Sequence, residues 1–133
     1  MIQTLQKRRA GFTLVEIMIV VAIIALLAAI AVPNFLRARK RSQATRILED
    51  LRMLDAACDQ YAIDNNKSSG TSIAFGDIKN YLKTGTVLYS GTGSDLFGNA
   101  YGPFTVDVVP KVPTATFNNL SDVADNTFWS PYQ

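Results

Sequence analysis

Between Phe12 and Val32 the chain runs for 21 residues with a single charge, Glu16. Wound as a helix at about 1.5 Å per residue, that stretch is roughly 31 Å long, which matches a bilayer hydrocarbon core of about 30 Å. Within lipid only a helix or a closed barrel satisfies every backbone N–H and C=O, and one segment cannot close a barrel. The run therefore predicts one membrane-inserted helix.

A secretory signal peptide also sets basic residues before an apolar run, and Lys7, Arg8 and Arg9 stand before this one. The details argue against it. The apolar core of a signal peptide is about 7–15 residues long and is followed by small residues for cleavage. Here the run is longer, Val32-Pro33-Asn34 suits that site poorly, and the small pair Ala10-Gly11 lies before the run.

A short basic leader, Gly11 at its end, Phe12 opening the next segment, TLVE ending in Glu16 and Pro33 closing the apolar run occur here at fixed spacing. Together they resemble the class III signal peptide and N-terminal helix of type IV pilins and type II secretion pseudopilins, most of all a major pseudopilin. The resemblance implies that a membrane-embedded prepilin peptidase and methyltransferase cuts after Gly11 on the cytoplasmic side and methylates the new amine of Phe12. Glycine suits that place, because a residue without a side chain lets an extended backbone enter a narrow protease cleft. On this reading residues 1–11 are a leader and take no part in the fold.

Glu16 is the residue that most needs a partner. A carboxylate inside a membrane helix is costly and marks a functional position by default, yet the apolar run offers no cation of its own. The resemblance supplies one, the α-amine of Phe12 on a neighbouring subunit of a filament. Pairing the two charges during assembly would relieve both desolvation penalties and set the register of the subunits. The alternative is that Glu16 snorkels to the headgroups from near the helix end.

Pro33 removes one helical N–H and crowds the carbonyl of Ala29, which predicts a kink or local break over residues 29–32. From Asn34 to about Asn65 no further proline or glycine occurs, and Ala44, Ile47, Leu48, Leu51, Leu54, Cys58, Tyr61 and Ala62 recur every three or four residues. That is one apolar stripe. Arg46, Glu49, Asp50, Arg52, Asp55, Asp59 and Asp64 occupy the other positions. The two spans together predict a helix of roughly 80 Å, with residues 12–33 as its membrane and assembly half and residues 34–65 as its amphipathic half.

Residues 66–133 read as a small globular α+β region. A polar loop from Asn65 to Gly70 leads to a short helix over about Phe75 to Leu82, followed by strand-like runs at Thr86–Ser90, Pro103–Val109, Thr114–Phe117 and Thr127–Tyr132. The fold class is therefore α+β, with a long N-terminal helix whose C-terminal half packs on a small antiparallel sheet. That is also the pilin fold which the resemblance implies.

Within the glycine-rich link from Ser90 to Gly102, the residues Asp95, Phe97, Gly98, Asn99 and Tyr101 resemble the D-x-W-G-x-x-Y motif of major pseudopilins, with Phe97 in the tryptophan's place. An ordinary turn with two aromatics packed into the sheet accounts for them too. Major pseudopilins commonly bind Ca²⁺ in a C-terminal loop, and Asn118, Asn119, Ser121, Asp122, Asp125 and Asn126 form an oxygen-rich cluster here. Asp122 and Asp125 are its candidate ligands, although neither the EF-hand spacing nor a family spacing is present, and a solvated loop or helix cap explains the cluster as well. Cys58 is the one cysteine, so no intrachain disulfide is possible. On the apolar stripe it reads as a small buried hydrophobe.

The chain has no histidine, no nucleophile elbow, no metal-binding cysteine cluster and no phosphate-binding loop, so catalysis finds no support. The formal charge is +2, and without Lys7, Arg8 and Arg9 the balance is 10 basic against 11 acidic residues. A near-neutral chain is no specific nucleic-acid binder. Basic residues flank both ends of the span, Lys7 to Arg9 before it and Arg37 to Arg41 after it, so charge counting does not set the topology. The resemblance sets it, with the leader cytoplasmic and the C-terminal region periplasmic. It further implies a homopolymeric helical filament, an inner-membrane assembly platform with its ATPase, and minor pseudopilins as partners. Two roles fit: the major pseudopilin of a type II secretion system, acting as a piston for protein export, or a type IV pilin forming a retractable pilus for adhesion, twitching or DNA uptake.

Overall fold

The computed structural model describes residues 10–133; Lys7, Arg8 and Arg9 lie outside them. The element order is α1 (Leu14–Asp64), β1 (Ser72–Ile73), α2 (Phe75–Ile78) with a 3₁₀ turn at Lys79–Tyr81, α3 (Val87–Ser90), β2 (Phe104–Thr105), α4 (Thr114–Leu120) and α5 (Asn126–Trp129). The chain divides into two units between Leu36 and Arg37.

In the first unit the apolar side chains of α1 have no cover. Phe12, Leu14, Ile19, Leu26 and Ile30 are all more than half exposed, and α1 is long and apolar enough to cross a membrane. Helical backbone continues through Pro33, so the local break predicted over residues 29–32 is absent. One proline deletes one N–H, and the bonds of the neighbouring turns carry the helix across the gap.

In the second unit the predicted stripe is the spine of the core. Ala44, Ile47, Leu48, Leu51, Leu54 and Cys58 are buried, joined by Ala57, while Tyr61 and Ala62 pack at its edge. Residues three and four apart share a helix face, and each Leu or Ile so buried is worth about 1.5–3 kcal/mol. The cover comes from every later element, including Ile73, Ile78, Leu88, Phe104, Leu120 and Trp129. Trp129 is fully buried, and its Nε1–H has no acceptor among the described residues.

The sheet is smaller than the sequence predicts. β1 and β2 pair antiparallel, Ser72 opposite Thr105 and Ile73 opposite Phe104, and two backbone bonds, Gly70 N to Val106 O and Val106 N to Thr71 O, extend the ladder. Of the four strand-like runs, only Pro103–Val109 contains a strand. Val87–Ser90 and Thr114–Phe117 are helical instead, and the run at Thr127–Tyr132 starts in α5, which ends at Trp129. The physical reason is local capping. The Thr86 hydroxyl accepts from Tyr89 N at 3.2 Å, the Asp125 carboxylate accepts from Phe128 N at 3.0 Å, and α4 starts directly after Pro113. Side-chain oxygens at N-caps and proline at a helix start stabilise turns that β-branched composition alone would not favour. The predicted helix near Phe75–Leu82 is present as α2 and its 3₁₀ turn, and the α+β class stands.

Candidate assembly site and the loop that braces the domain

The start of α1 is built by two residues that answer each other. Thr13 N donates to Glu16 Oε2 at 3.0 Å, and Glu16 N donates to Thr13 Oγ1 at 3.3 Å. This is a capping box, in which two of the four otherwise unpaired N–H groups of a helix start find acceptors. Within its own chain, then, the Glu16 carboxylate engages a backbone N–H. Reading TLVE for its single charge overlooked Thr13, although threonine followed three residues later by glutamate ahead of an apolar run is the signal for such a box.

Phe12 and Glu16, together with Ile17, Val20 and Val21, line one shallow open groove. Phe12 is 88% exposed. Gly11 lies just before it in irregular backbone, and a Cβ built there meets nothing within 4 Å. Nothing inside the described chain demands a glycine at that place.

The second constellation is the loop at residues 95–101. Asp95 is buried, and its Oδ1 accepts from Phe97 N at 2.8 Å and from Asn99 N at 2.9 Å. Its Oδ2 accepts from the Thr116 hydroxyl, whose oxygen in turn accepts from Asn99 Nδ2 at 2.9 Å. Gly98 closes the turn at φ 83°, a left-handed conformation that glycine adopts without penalty. Five residues earlier, Gly93 at φ 79° leaves room for the Phe75 ring, which would stand 2.7 Å from a Cβ. Tyr101 is buried and donates its hydroxyl to Asp50 Oδ2 on α1 at 3.1 Å, whereas Phe97 is 40% exposed. The loop thus ties α4 to α1 through polar groups. One of its aromatics packs inward and the other faces out, which corrects the reading that both pack into the sheet. Its partners Thr116 and Asp50 lie 21 and 51 positions from the residues they meet, and no sequence periodicity links positions so far apart.

The oxygen-rich cluster is arranged as its helix-cap reading has it. Asn118 and Asn119 belong to α4. Asp122 Oδ2 pairs with Lys40 Nζ at 2.9 Å, and this hydrogen bond to the ammonium holds its carboxyl below the usual range. Asp125 caps α5. Among the described residues no three His, Cys, Asp or Glu side chains come together around a possible metal position. Calcium needs six to eight oxygens, and with an ammonium on one carboxylate and a helix start on the other, the set as placed does not fit it. Burial, with Asp55 and Asp59 nearby, pushes the Cys58 thiol up to about 11, so it stays protonated and inert at neutral pH.

Residues 6–32 match the family described as the prokaryotic N-terminal methylation motif. In its N-terminal half the chain is similar to type IV pilins and type II secretion pseudopilins. Among curated proteins, this pilin-like chain is 39% identical over 64 residues to the type II secretion system core protein G of Aeromonas hydrophila, covering 47% of this chain and 45% of that protein. It is 45% identical over 68 residues to the type IV wide pilus major component PilA4 of Thermus thermophilus, covering 51% and 52%. To the type IV major pilin protein PilA of Myxococcus xanthus it is 44% identical over 62 residues, covering 47% and 28%. The chain thus spans about half the length, or less, of the curated relatives it matches. No solved structure matches it.

Proposed function

We propose that the chain is a structural, non-enzymatic subunit held in the inner membrane by the apolar half of α1 and drawn from there into a helical filament. The observation that carries this reading is the start of α1: a long apolar face with no cover, and at its head Glu16, whose carboxylate engages only the N–H of Thr13 among the described residues. An uncovered apolar helix needs lipid or other copies of itself around it, and a carboxylate at its head needs a cation there. The amine of Phe12, freed by cleavage after Gly11, is that cation. The absence of any internal need for glycine at position 11 supports a demand from outside, the cleft of the prepilin peptidase.

In assembly Glu16 would exchange a neutral backbone donor for a charged one on the next subunit, and charge-assisted hydrogen bonds are roughly twice as strong as neutral ones. The leader faces the cytoplasm and the C-terminal unit the periplasm. The leading role is the major pseudopilin of a type II secretion system, a piston for export that works with an assembly platform, its ATPase and minor pseudopilins. The relatives named type II secretion system core protein G and the Asp95–Tyr101 loop support it. A second reading, the subunit of an extracellular type IV pilus, is favoured by identities of 45% and 44% to two pilus proteins.

The test uses native cells. Mass spectrometry of the mature subunit is expected to find methylated Phe12 at its start. Glu16→Ala is expected to be cleaved normally yet to remain in the membrane; filaments of normal yield from that variant would sink the assembly role. Loss of secretion on deletion, with no long surface fibres, supports the pseudopilin, whereas long fibres built mainly from this chain establish the pilus.

A further inference from the structure

Four of the five residues from Arg37 to Arg41 are cationic, and the structure divides them into two pairs. Lys40 is held by Asp122 at 2.9 Å. Arg41 donates to the carbonyl of Val123 at 3.3 Å and stands 5.6 Å from the centroid of the Phe128 ring. These two cations belong to the domain, fastening the turn between α4 and α5 to α1. Arg37 and Arg39 are exposed, and among the described residues neither makes an ion pair. The acid that Arg37 reaches electrostatically, Asp122, is already taken by Lys40, and Arg37 is the smallest of the influences upon it.

The place of these two arginines in the chain gives them a use. At about 1.5 Å per residue, Arg37 stands roughly 8 Å and Arg39 roughly 10 Å past Val32. A headgroup layer is about 5–8 Å deep, and a long arginine stem can reach back into it. Just before them stand Phe35, 67% exposed, and Leu36, 51% exposed, apolar side chains suited to the same boundary. Two positions apart on a helix, the arginines lie on nearly opposite sides and so meet different lipids.

We propose that Arg37 and Arg39 bind the phosphate groups of anionic phospholipids at the membrane face, while Lys40 and Arg41 serve the domain's own closure. The proposal rests on the reading of the apolar segment as a membrane span. A guanidinium offers a phosphodiester two parallel N–H donors, and each such residue near a charged surface is worth roughly a fivefold preference. Anionic lipid would thereby retain the stored subunit and be released when it is extracted.

The test takes the full-length chain inserted into phosphatidylcholine vesicles containing a minor share of phosphatidylglycerol, with insertion scored separately by resistance to alkaline extraction. The association of spin-labelled phosphatidylglycerol relative to spin-labelled phosphatidylcholine is then measured. The wild type is expected to prefer phosphatidylglycerol. The double variant Arg37→Gln/Arg39→Gln is expected to lose at least roughly fivefold of that preference with an unchanged melting temperature. Lys40→Gln/Arg41→Gln is expected to keep the preference while melting lower. An inserted wild-type chain without preference, or equal loss from both double variants, overturns the proposal alone. A chain that fails to insert overturns the span reading, and the proposal falls with it.

Discussion

Asp50 lies half-buried on α1 with Tyr101 donating to it at 3.1 Å. Burial pushes its carboxyl up from the ordinary 3.8, against the opposing pull of the Tyr101 hydrogen bond and Arg46, with Asp95 adding repulsion. The folded state therefore holds this proton more tightly than the unfolded chain does. The associated stability is full below about 3.8 and is lost as pH rises through the folded value. Asp50→Asn keeps an acceptor for Tyr101 and sheds the charge. Its urea midpoint is expected to equal or exceed that of the wild type at pH 7, and the difference should shrink towards pH 4. A variant weaker than the wild type at pH 7, with the deficit shrinking towards pH 4, would show that the attraction to Arg46 and the Tyr101 hydrogen bond outweigh desolvation. In the sequence Asp50 reads as one more charge opposite the apolar stripe, because helix periodicity gives a residue's direction and says nothing of a tyrosine 51 positions away that comes to meet it.

Among the elements, the brace at residues 95–101 concentrates the most polar contact on one side chain. Asp95 accepts from Phe97 N, Asn99 N and the Thr116 hydroxyl. Asp95→Ala would leave the Thr116 hydroxyl without its acceptor in a buried place and the Phe97 and Asn99 N–H groups without theirs in half-buried ones; an unsatisfied buried donor costs about 1–3 kcal/mol. A loss of at least about 2 kcal/mol in urea unfolding is expected, and Asp95→Asn, which keeps one acceptor oxygen, should recover part of it. A loss below about 0.5 kcal/mol would mean that water replaces the carboxylate without penalty. The spacing of Asp95, Gly98 and Tyr101 made this loop legible as a motif, though its tie to Thr116 was not. Where sequence reading failed was in the short elements. VLYS, TATF and TFW are rich in β-branched and aromatic residues, and over four to seven residues composition does not separate a strand from a single helical turn. The caps Thr86 and Asp125 decide it. The long helix was legible because its period repeats many times over.

At the scale of the molecule, every buried core residue among the described ones, from Ala44 to Tyr132, falls in the second unit. The apolar half of α1 contributes nothing to that core. A fragment of residues 37–133 is therefore expected to fold alone, with a single cooperative transition by circular dichroism and by Trp129 fluorescence. Transitions that fail to coincide, or a fragment without fixed tertiary signals, would show that the domain needs the membrane half.

The residues near Trp129 bear on when that domain can close. Trp129 is fully buried, the Tyr132 carbonyl accepts from Val112 N at 2.7 Å, and the Tyr132 hydroxyl reaches Asp55, 77 positions earlier. At synthesis rates of about 5–20 residues per second, a stretch of that length takes roughly 4–15 s. Throughout that interval the cover over the stripe from Ala44 to Cys58 is still incomplete. The nascent domain is thus a greasy, open helix for several seconds, a client for whatever holds unfinished chains at the membrane, and it becomes a finished part only when the last aromatics arrive.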